Sequence, residues 1–232
     1  MYKWTDDMVR FMLDASSDTQ YFENLASLIK PYIEHCRTVC DAGCGLGQLA
    51  DVLSCVGFEV TGADISEKAI NQVRKLRSVK PLLCDLSNCE SSLKWDAMIF
   101  NYYGRIDEIV SIAKKHCLKK VIVIKKNYRN HRFSFAEMPI KGYMNINTED
   151  YLSEHGIKFT KTEFSSELGQ PFRNIEDAVK FFEIYSRDED RSLINEKNIR
   201  KRLVERKDDT FPLYMPHVKK SLVFVLDMED LR

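Results

Sequence analysis

Three glycines at alternate positions, Gly43, Gly45 and Gly47, separate the apolar run Thr38-Val39-Cys40 from a helical pattern that begins at Gln48. Glycine gives up more conformational freedom on folding than any other residue, so three so close together are retained only where the chain turns tightly or lets a ligand reach its backbone. A strand that enters such a turn and leaves it as a helix opens a βα unit. Units of that kind stack into a parallel sheet whose ligands lie outside the carboxyl ends of the strands.

The rest of the chain repeats the rhythm. Gln48 to Val56 reads as helix, Glu59-Val60-Thr61-Gly62-Ala63 as strand, Glu67 to Leu76 as helix and Lys80 to Cys84 as strand. Ala97-Met98-Ile99-Phe100 and Val121 to Ile124 follow as strands on either side of a helix from Ile106 to Cys117. Ahead of the sheet, Val9, Met12 and Leu13, then Phe22, Leu25, Ala26, Leu28 and Ile29, recur at helical spacing around a break at Ser16-Ser17-Asp18. That pattern predicts two helices within residues 5–35. After a polar stretch from Asn127 to Asn147, Thr148-Glu149-Asp150 caps a short helix to His155, and strands are expected at Ile157 to Phe164 and Leu222 to Leu226.

Between those last two strands lies a long excursion with a Phe181-Phe182-Tyr185 helical face and a charge-dense run from Arg187 to Asp209. Bases and acids nearly cancel in that run, the pattern of an exposed helix laced with ion pairs. Insertions of such length with their own helices are usually lids or binding elements.

Charge narrows the function classes. Lys+Arg 35 against Asp+Glu 35 leaves no net charge, which disfavours nucleic acid as a partner without excluding it. The longest apolar runs are strand-sized, far short of the roughly 20 residues that span a bilayer, and the acidic start of the chain lacks a signal core. A cytoplasmic location is expected, with no membrane. Seven cysteines, odd in number and without a C-x-x-C pair, read as reduced structural thiols, and no metal site is expected.

The spacing of the glycine loop carries the chemistry. In Asp41-Ala42-Gly43-Cys44-Gly45-Leu46-Gly47 the third glycine comes one residue earlier than in the G-x-G-x-x-G dinucleotide fingerprint, and Gln48 follows. A carboxylate at the loop entrance suits a cation and repels a diphosphate. This D-x-G-x-G-x-G loop resembles motif I of the class I S-adenosylmethionine-dependent methyltransferases. The resemblance covers roughly residues 37–126.

That resemblance implies cofactor contacts from Asp41, Gly43, Cys44, Gly45, Gly47, Gln48 and Leu49. Asp64, ending the second strand beside Ile65 and Ser66, is the expected acceptor of the ribose hydroxyls. Asp85, with Leu86, stands where the family places the partner of the adenine amine. Asn101 closes the fourth strand at the lip where the methyl group projects, and Tyr102 and Tyr103 are candidates to pack on the sulfonium and line the acceptor side. N-methyltransferases of the family often carry Asn or Asp followed by Pro-Pro-Tyr there, and the prolines are missing here. Lys125, Lys126, Arg129 and Arg132 follow the fifth strand, a position that makes Arg129 and Arg132 candidates to bind the acceptor, while His131 is the candidate general base.

The expectation is therefore a Rossmann-like class I methyltransferase fold: a seven-stranded, mostly parallel sheet between helices, with an N-terminal helical cover and a lid insertion before the last strand. One domain spans residues 1–232, with N-terminal helices in 1–36, a cofactor-binding core in 37–165 and 219–232, and the insertion in 166–218. The expected function is methyl transfer from S-adenosyl-L-methionine to a small-molecule acceptor, anionic if those bases face it. RNA methylation and a non-catalytic cofactor-binding partner subunit are the alternatives.

Overall fold

The computed structural model describes residues 3–127, 135 and 144–231. Helix α1 (Asp6–Ser17) starts where the Thr5 hydroxyl accepts the Met8 N–H, and α2 (Tyr21–Ile33) follows it. The alternating core then runs β1 (Thr38–Ala42), α3 (Gln48–Cys55), β2 (Glu59–Asp64), α4 (Glu67–Val73), β3 (Val79–Leu83), β4 (Trp95–Asn101), α5 (Ile106–His116) and β5 (Cys117–Lys126). Next come α6 (Met144–Glu154), β6 (Thr160–Glu167), β7 (Gln170–Phe172) and α7 (Ile175–Tyr185). A 3-10 turn (Asp188–Leu193), α8 (Glu196–Arg200), β8 (Val204–Glu205), β9 (Leu213–Met215), β10 (Val218–Asp227) and α9 (Met228–Leu231) complete the chain.

Seven strands form one sheet in the order β3-β2-β1-β4-β5-β10-β6. The first five are parallel, and β10 runs antiparallel to both β5 and β6. The order reverses direction at β1 and β4, the switch point beside which open αβ sheets bind ligands. Strands buried on both faces explain the unbroken apolar runs of β4 and β5. On one face Leu25 and Ile29 of α2, Leu49 and Leu53 of α3, and Ile70 and Val73 of α4 pack on Val39, Val60, Ile99 and Ile122. On the other, Ile109 and Ile112 of α5, Leu152 of α6 and Met228 of α9 pack on Cys40, Ala63, Met98, Val121 and Phe224. Burying each large aliphatic side chain contributes about 1.5–3 kcal/mol, which is what holds the layers together.

Three sequence expectations are corrected. Helix α6 begins at Met144, so Thr148 lies inside it and is buried rather than capping its start. The charge-dense run is not one exposed helix. Asn195 accepts the Asn198 N–H and starts a fresh short helix, so the run divides into the 3-10 turn, α8 and β8. And not every thiol is reduced: Cys84 and Cys89 form a disulfide, their Cα atoms brought to 6.5 Å by a turn in which the Asn88 N–H donates to the Asp85 carbonyl.

The insertion also builds more than a helix. Strands β7, β9 and β8 form a second, three-stranded sheet, and Phe172, Ala178, Phe181, Phe182, Ile199 and Met215 enclose Phe11 of α1 in a separate apolar cluster. The Phe11 and Phe181 rings meet edge to face at 5.2 Å. Ion pairs ring the contact: Arg10–Asp177 at 2.6 Å, Arg173–Asp14 at 2.6 Å, Lys180–Asp7 at 2.8 Å and Arg206–Asp18 at 2.7 Å. Helix α1 thus belongs with the insertion more than with the sheet.

Candidate active site

Strand β1 delivers the glycine loop to the sheet's switch point. The Gly43 and Cys44 N–H groups both donate to the Ala63 carbonyl of β2, at 2.8 and 3.0 Å, which folds the loop across the strand ends. Gly43 has φ +69° and Gly47 φ +87°, and any Cβ would stand 2.7 Å from the Tyr103 ring at the first and 2.8 Å from Leu76 at the second. No side chain fits either position. Past the loop, α3 starts at Gln48 and offers its N-terminus to the same edge.

Two carboxylates meet there. Asp64 accepts the Gly45 N–H at 3.0 Å on one oxygen and the Ser66 N–H at 2.8 Å on the other, so it ties the end of β2 to the glycine loop. Each oxygen keeps a lone pair for a further donor. Ser66 caps α4 by accepting the Ala69 N–H. Asp41 is fully buried, and burial, followed by the nearby Asp64 charge, pushes its carboxyl up to about 7 against the opposing Ala50 N–H.

One Asp41 oxygen has no hydrogen-bond partner, and neither do the Gln48 Nε2 and the Asn101 Oδ1. Buried polar atoms left unmatched are expensive and rare in folded proteins. Two acceptors and one donor at the ends of β1 and β4 and the start of α3 are the complement of a ligand that carries an ammonium and a carboxylate.

Beside them a cavity of about 220 Å³ is lined by Gly43, Ala63, Asp64, Ile65, Cys84, Asp85, Leu86, Tyr103 and Glu108. It brings together the expected residues from three strand ends. Asp85 accepts the Ser87 N–H at 3.0 Å and the Asn88 side-chain amide at 2.8 Å, so it is a turn residue and a cavity wall at once. Cys44 and Leu49, both expected to contact the cofactor, stand at the loop and at the start of α3. Their side chains are buried in the core.

The two tyrosines separate. Tyr102 has φ +57°, a left-handed conformation uncommon outside glycine, and this turns its ring away from the loop. Its phenol bonds the Ser221 hydroxyl of β10 at 2.6 Å, and its N–H donates to the Ile124 carbonyl at 3.0 Å. Tyr103 instead lies over Gly43 in the 220 Å³ cavity, where burial and then the Glu108 and Asp85 charges push its phenol up to about 12.

Lys125 explains how that turn is held. It is buried, and its Nζ donates to the Tyr103 carbonyl at 2.6 Å and the Gly104 carbonyl at 2.7 Å. Burial pulls its amine down to about 8, against the raising effect of Glu108. Lys125 also lines a second cavity of about 360 Å³ with Arg105, Ile106, Asp107, Asn147, Thr148 and Tyr151. Arg129, His131 and Arg132 lie outside the described residues.

Sequence reading missed Trp4 and Glu108. The Trp4 ring stands 3.4 Å from where a Cβ of Gly45 would be, and an Asp6–Lys68 ion pair at 2.6 Å fastens that end of the chain to α4. Neither residue has a periodic neighbour to betray it: Trp4 precedes the first helix, and Glu108 reads as an ordinary acid in a first helical turn.

Comparison with known proteins bears on the fold. Residues 40–98 match a family model described as a methyltransferase domain. Compared sequence against sequence, the chain matches no curated protein. Among solved structures, magnesium protoporphyrin IX methyltransferase from Synechocystis PCC 6803 with bound S-adenosylhomocysteine superposes with a TM-score of 0.53 at 12% identity, over 97% of this chain and 89% of that one. The plantazolicin methyltransferase BpumL, also in complex with S-adenosylhomocysteine, gives 0.54 at 13% identity, over 95% and 90%. A Pyrococcus horikoshii protein named as a candidate RNA methyltransferase gives 0.52 at 14% identity, over 89% and 83%. The shared fold thus spans acceptors of different kinds and does not choose among them. No helix among the described residues is long and apolar enough to cross a membrane.

Proposed function

From the premise that the chain carries a methyltransferase domain in a class I methyltransferase fold, we propose that it transfers a methyl group from S-adenosyl-L-methionine to a small, negatively charged acceptor. The observation that carries the reading is the set of unmatched buried atoms on Asp41, Gln48 and Asn101 next to a cavity walled by Asp64 and Asp85. Asp41 and Asn101 accept from the ammonium of the cofactor's amino acid end, and Gln48 donates to its carboxylate. Asp64 accepts from the ribose hydroxyls with the lone pairs its backbone bonds leave over, and Asp85 and Leu86 border the adenine.

When bound, the cofactor supplies an activated methyl on a sulfonium. The chain's own contribution is position. Lys125 of the larger cavity fixes the carbonyls of the turn that carries Tyr103, and the Tyr103 ring lies against Gly43 in the smaller one, so one turn ties the two linings together. Holding the acceptor in line with the methyl and keeping water out supplies most of the acceleration. Asp41 keeps a proton more readily than an ordinary aspartate in the empty site, and a bound ammonium stabilises its charged form.

An anionic acceptor is favoured by Lys125 and Arg105 in the 360 Å³ cavity, against which Asp107 sets one carboxylate already paired with Arg105 at 2.7 Å. Helix α1 and the insertion act as one cover: Trp4 lies on the loop at one end of α1, and Phe11 sits in the insertion's core. The test uses the full chain, methyl-labelled cofactor and cell extract fractionated by charge. Label should enter the anionic small-molecule fraction and not total RNA. Label in RNA alone would replace this acceptor with the RNA reading.

A further inference from the structure

A cavity of about 560 Å³ lies away from the glycine loop. It opens at the amino ends of β1 to β4, where Thr38, Glu59, Val79 and Trp95 stand, on the opposite side of the sheet's edge from the cofactor residues. Its origin is topological. The connections β1 to β2, β2 to β3 and β4 to β5 each lay a helix on the sheet, α3, α4 and α5. The connection from β3 to β4 has none among residues 84–94, and is instead a loop closed by the Cys84–Cys89 disulfide.

Helices α3 and α4 cover one face, and α5, α6 and α9 cover the other only toward β4 and β5. Among the described residues no helix lies over β2 and β3 on that side; Leu86 and Leu93 of the loop pack in the same apolar cluster as Ala63, and Leu82 and Leu93 stay half-buried. Thr61 and Lys80 are register partners there, as are Ala63 and Leu82. Leu82 and Leu93 give the groove an apolar floor, and the buried Trp95 donates its indole N–H to the Thr61 hydroxyl at 3.0 Å.

The rim is cationic. Arg77, Lys80 and Lys94 are exposed around the floor, and among the described residues none of the three is in an ion pair. The one carboxylate of the lining, Glu59, is held by Arg37 at 2.6 Å. Lys94 donates to the Lys115 carbonyl, but no carboxylate offsets any of the three, and in a chain whose charges cancel overall that is a local asymmetry.

We propose that this groove is a docking site for an acidic amphipathic helix of a partner protein, which covers the β2–β3 face where the chain supplies no crossover helix. Apolar side chains at helical spacing meet Leu82 and Leu93, and flanking carboxylates meet Arg77, Lys80 and Lys94. An open trough with exposed walls suits the face of a helix, whereas a small ligand is normally enclosed over most of its surface.

The test places a photoreactive benzoyl-phenylalanine at Lys80 in the full-length chain and irradiates cells. The same group at Lys30, exposed on α2, is the control. The proposal expects an adduct from position 80 and not from position 30, whose cross-linked peptide carries acids and apolar residues at helical spacing. A synthetic copy of that peptide should bind the unmodified chain with an affinity that falls on adding salt. It should bind the Arg77→Glu/Lys94→Glu variant about tenfold or more weakly, as expected when rim charges are reversed. Both changed residues are exposed, so melting temperature and S-adenosylhomocysteine affinity should stay at wild-type values. Equal yields at positions 80 and 30, a cross-linked peptide from a second copy of this chain, or a peptide without acids would overturn the proposal. So would peptide binding indifferent to the charge reversal.

Discussion

The carboxyl edge of the large sheet and the unit made by α1 with the insertion are built on different principles. The sheet edge is assembled from backbone: the Ala63 carbonyl takes two loop N–H groups, Asp64 takes two more, and Lys125 holds two carbonyls. The other unit is assembled from side chains, aromatic rings inside and ion pairs around them. Backbone constraints permit one residue type at a position, whereas a packed aromatic cluster accepts many of suitable volume. The first can be read from a sequence and the second cannot.

The largest expected effect separates the two units. Phe181→Ala removes a fully buried ring and should destabilise the insertion by about 3–5 kcal/mol. Hydrogen exchange should then rise in β7, β9, α7 and α1 while β1, β4 and β5 stay protected. A uniform loss of protection would make the two units one cooperative body.

Next in size is Gly45→Val. Gly45 has φ +56°, which a β-branched residue adopts only with strain, and the new side chain would occupy the space between the loop and Trp4. S-adenosylhomocysteine affinity should fall at least about 100-fold, roughly 3 kcal/mol. Binding within a few-fold of wild type would place the ligand elsewhere.

Asp64→Ala should weaken the cofactor by about 1.5–3 kcal/mol, through lost charge-assisted hydrogen bonds. Asp85→Ala should weaken it less, because Asp85 is exposed and its oxygens already serve the turn at Ser87 and Asn88. Titration of the two variants side by side checks the order, and a reversed order would shift the adenosine along the edge.

The smallest effect concerns pH. The Asp41 carboxyl, raised from 3.8 to about 7 in the folded chain, keeps a proton that the unfolded chain has already released. Its contribution to stability is therefore fully present below about pH 4 and is lost as pH rises toward 7. Asp41→Asn removes that loss, so the empty variant should gain about 1–2 kcal/mol over wild type at pH 8 and little at pH 4. Thermal melts at the two values check it. Equal gains at both would show that Asp41 does not titrate in this window.

How much the sequence disclosed follows the same division. The mostly parallel sheet, the glycine loop and the positions of Asp64 and Asp85 after the second and third strands were legible because glycine spacing and apolar alternation obey local rules. The separation of Tyr102 from Tyr103 was not, since a left-handed residue between a strand and a helix leaves no mark in composition. The second sheet was equally hidden: β8 and β9 are two and three residues long, too short for any period to register. Trp4 reaches the loop only because α1 docks elsewhere, through Phe11, and no pattern within the first helix records that.

The central claim is that the carboxyl edge of the sheet holds S-adenosyl-L-methionine and no dinucleotide. Calorimetric titration of the full chain with S-adenosylhomocysteine and, separately, with NAD tests it most directly. Saturable one-to-one binding of the first, weakened in Asp64→Ala, with no heat from the second is the predicted result. Binding of NAD with no response to S-adenosylhomocysteine would contradict it.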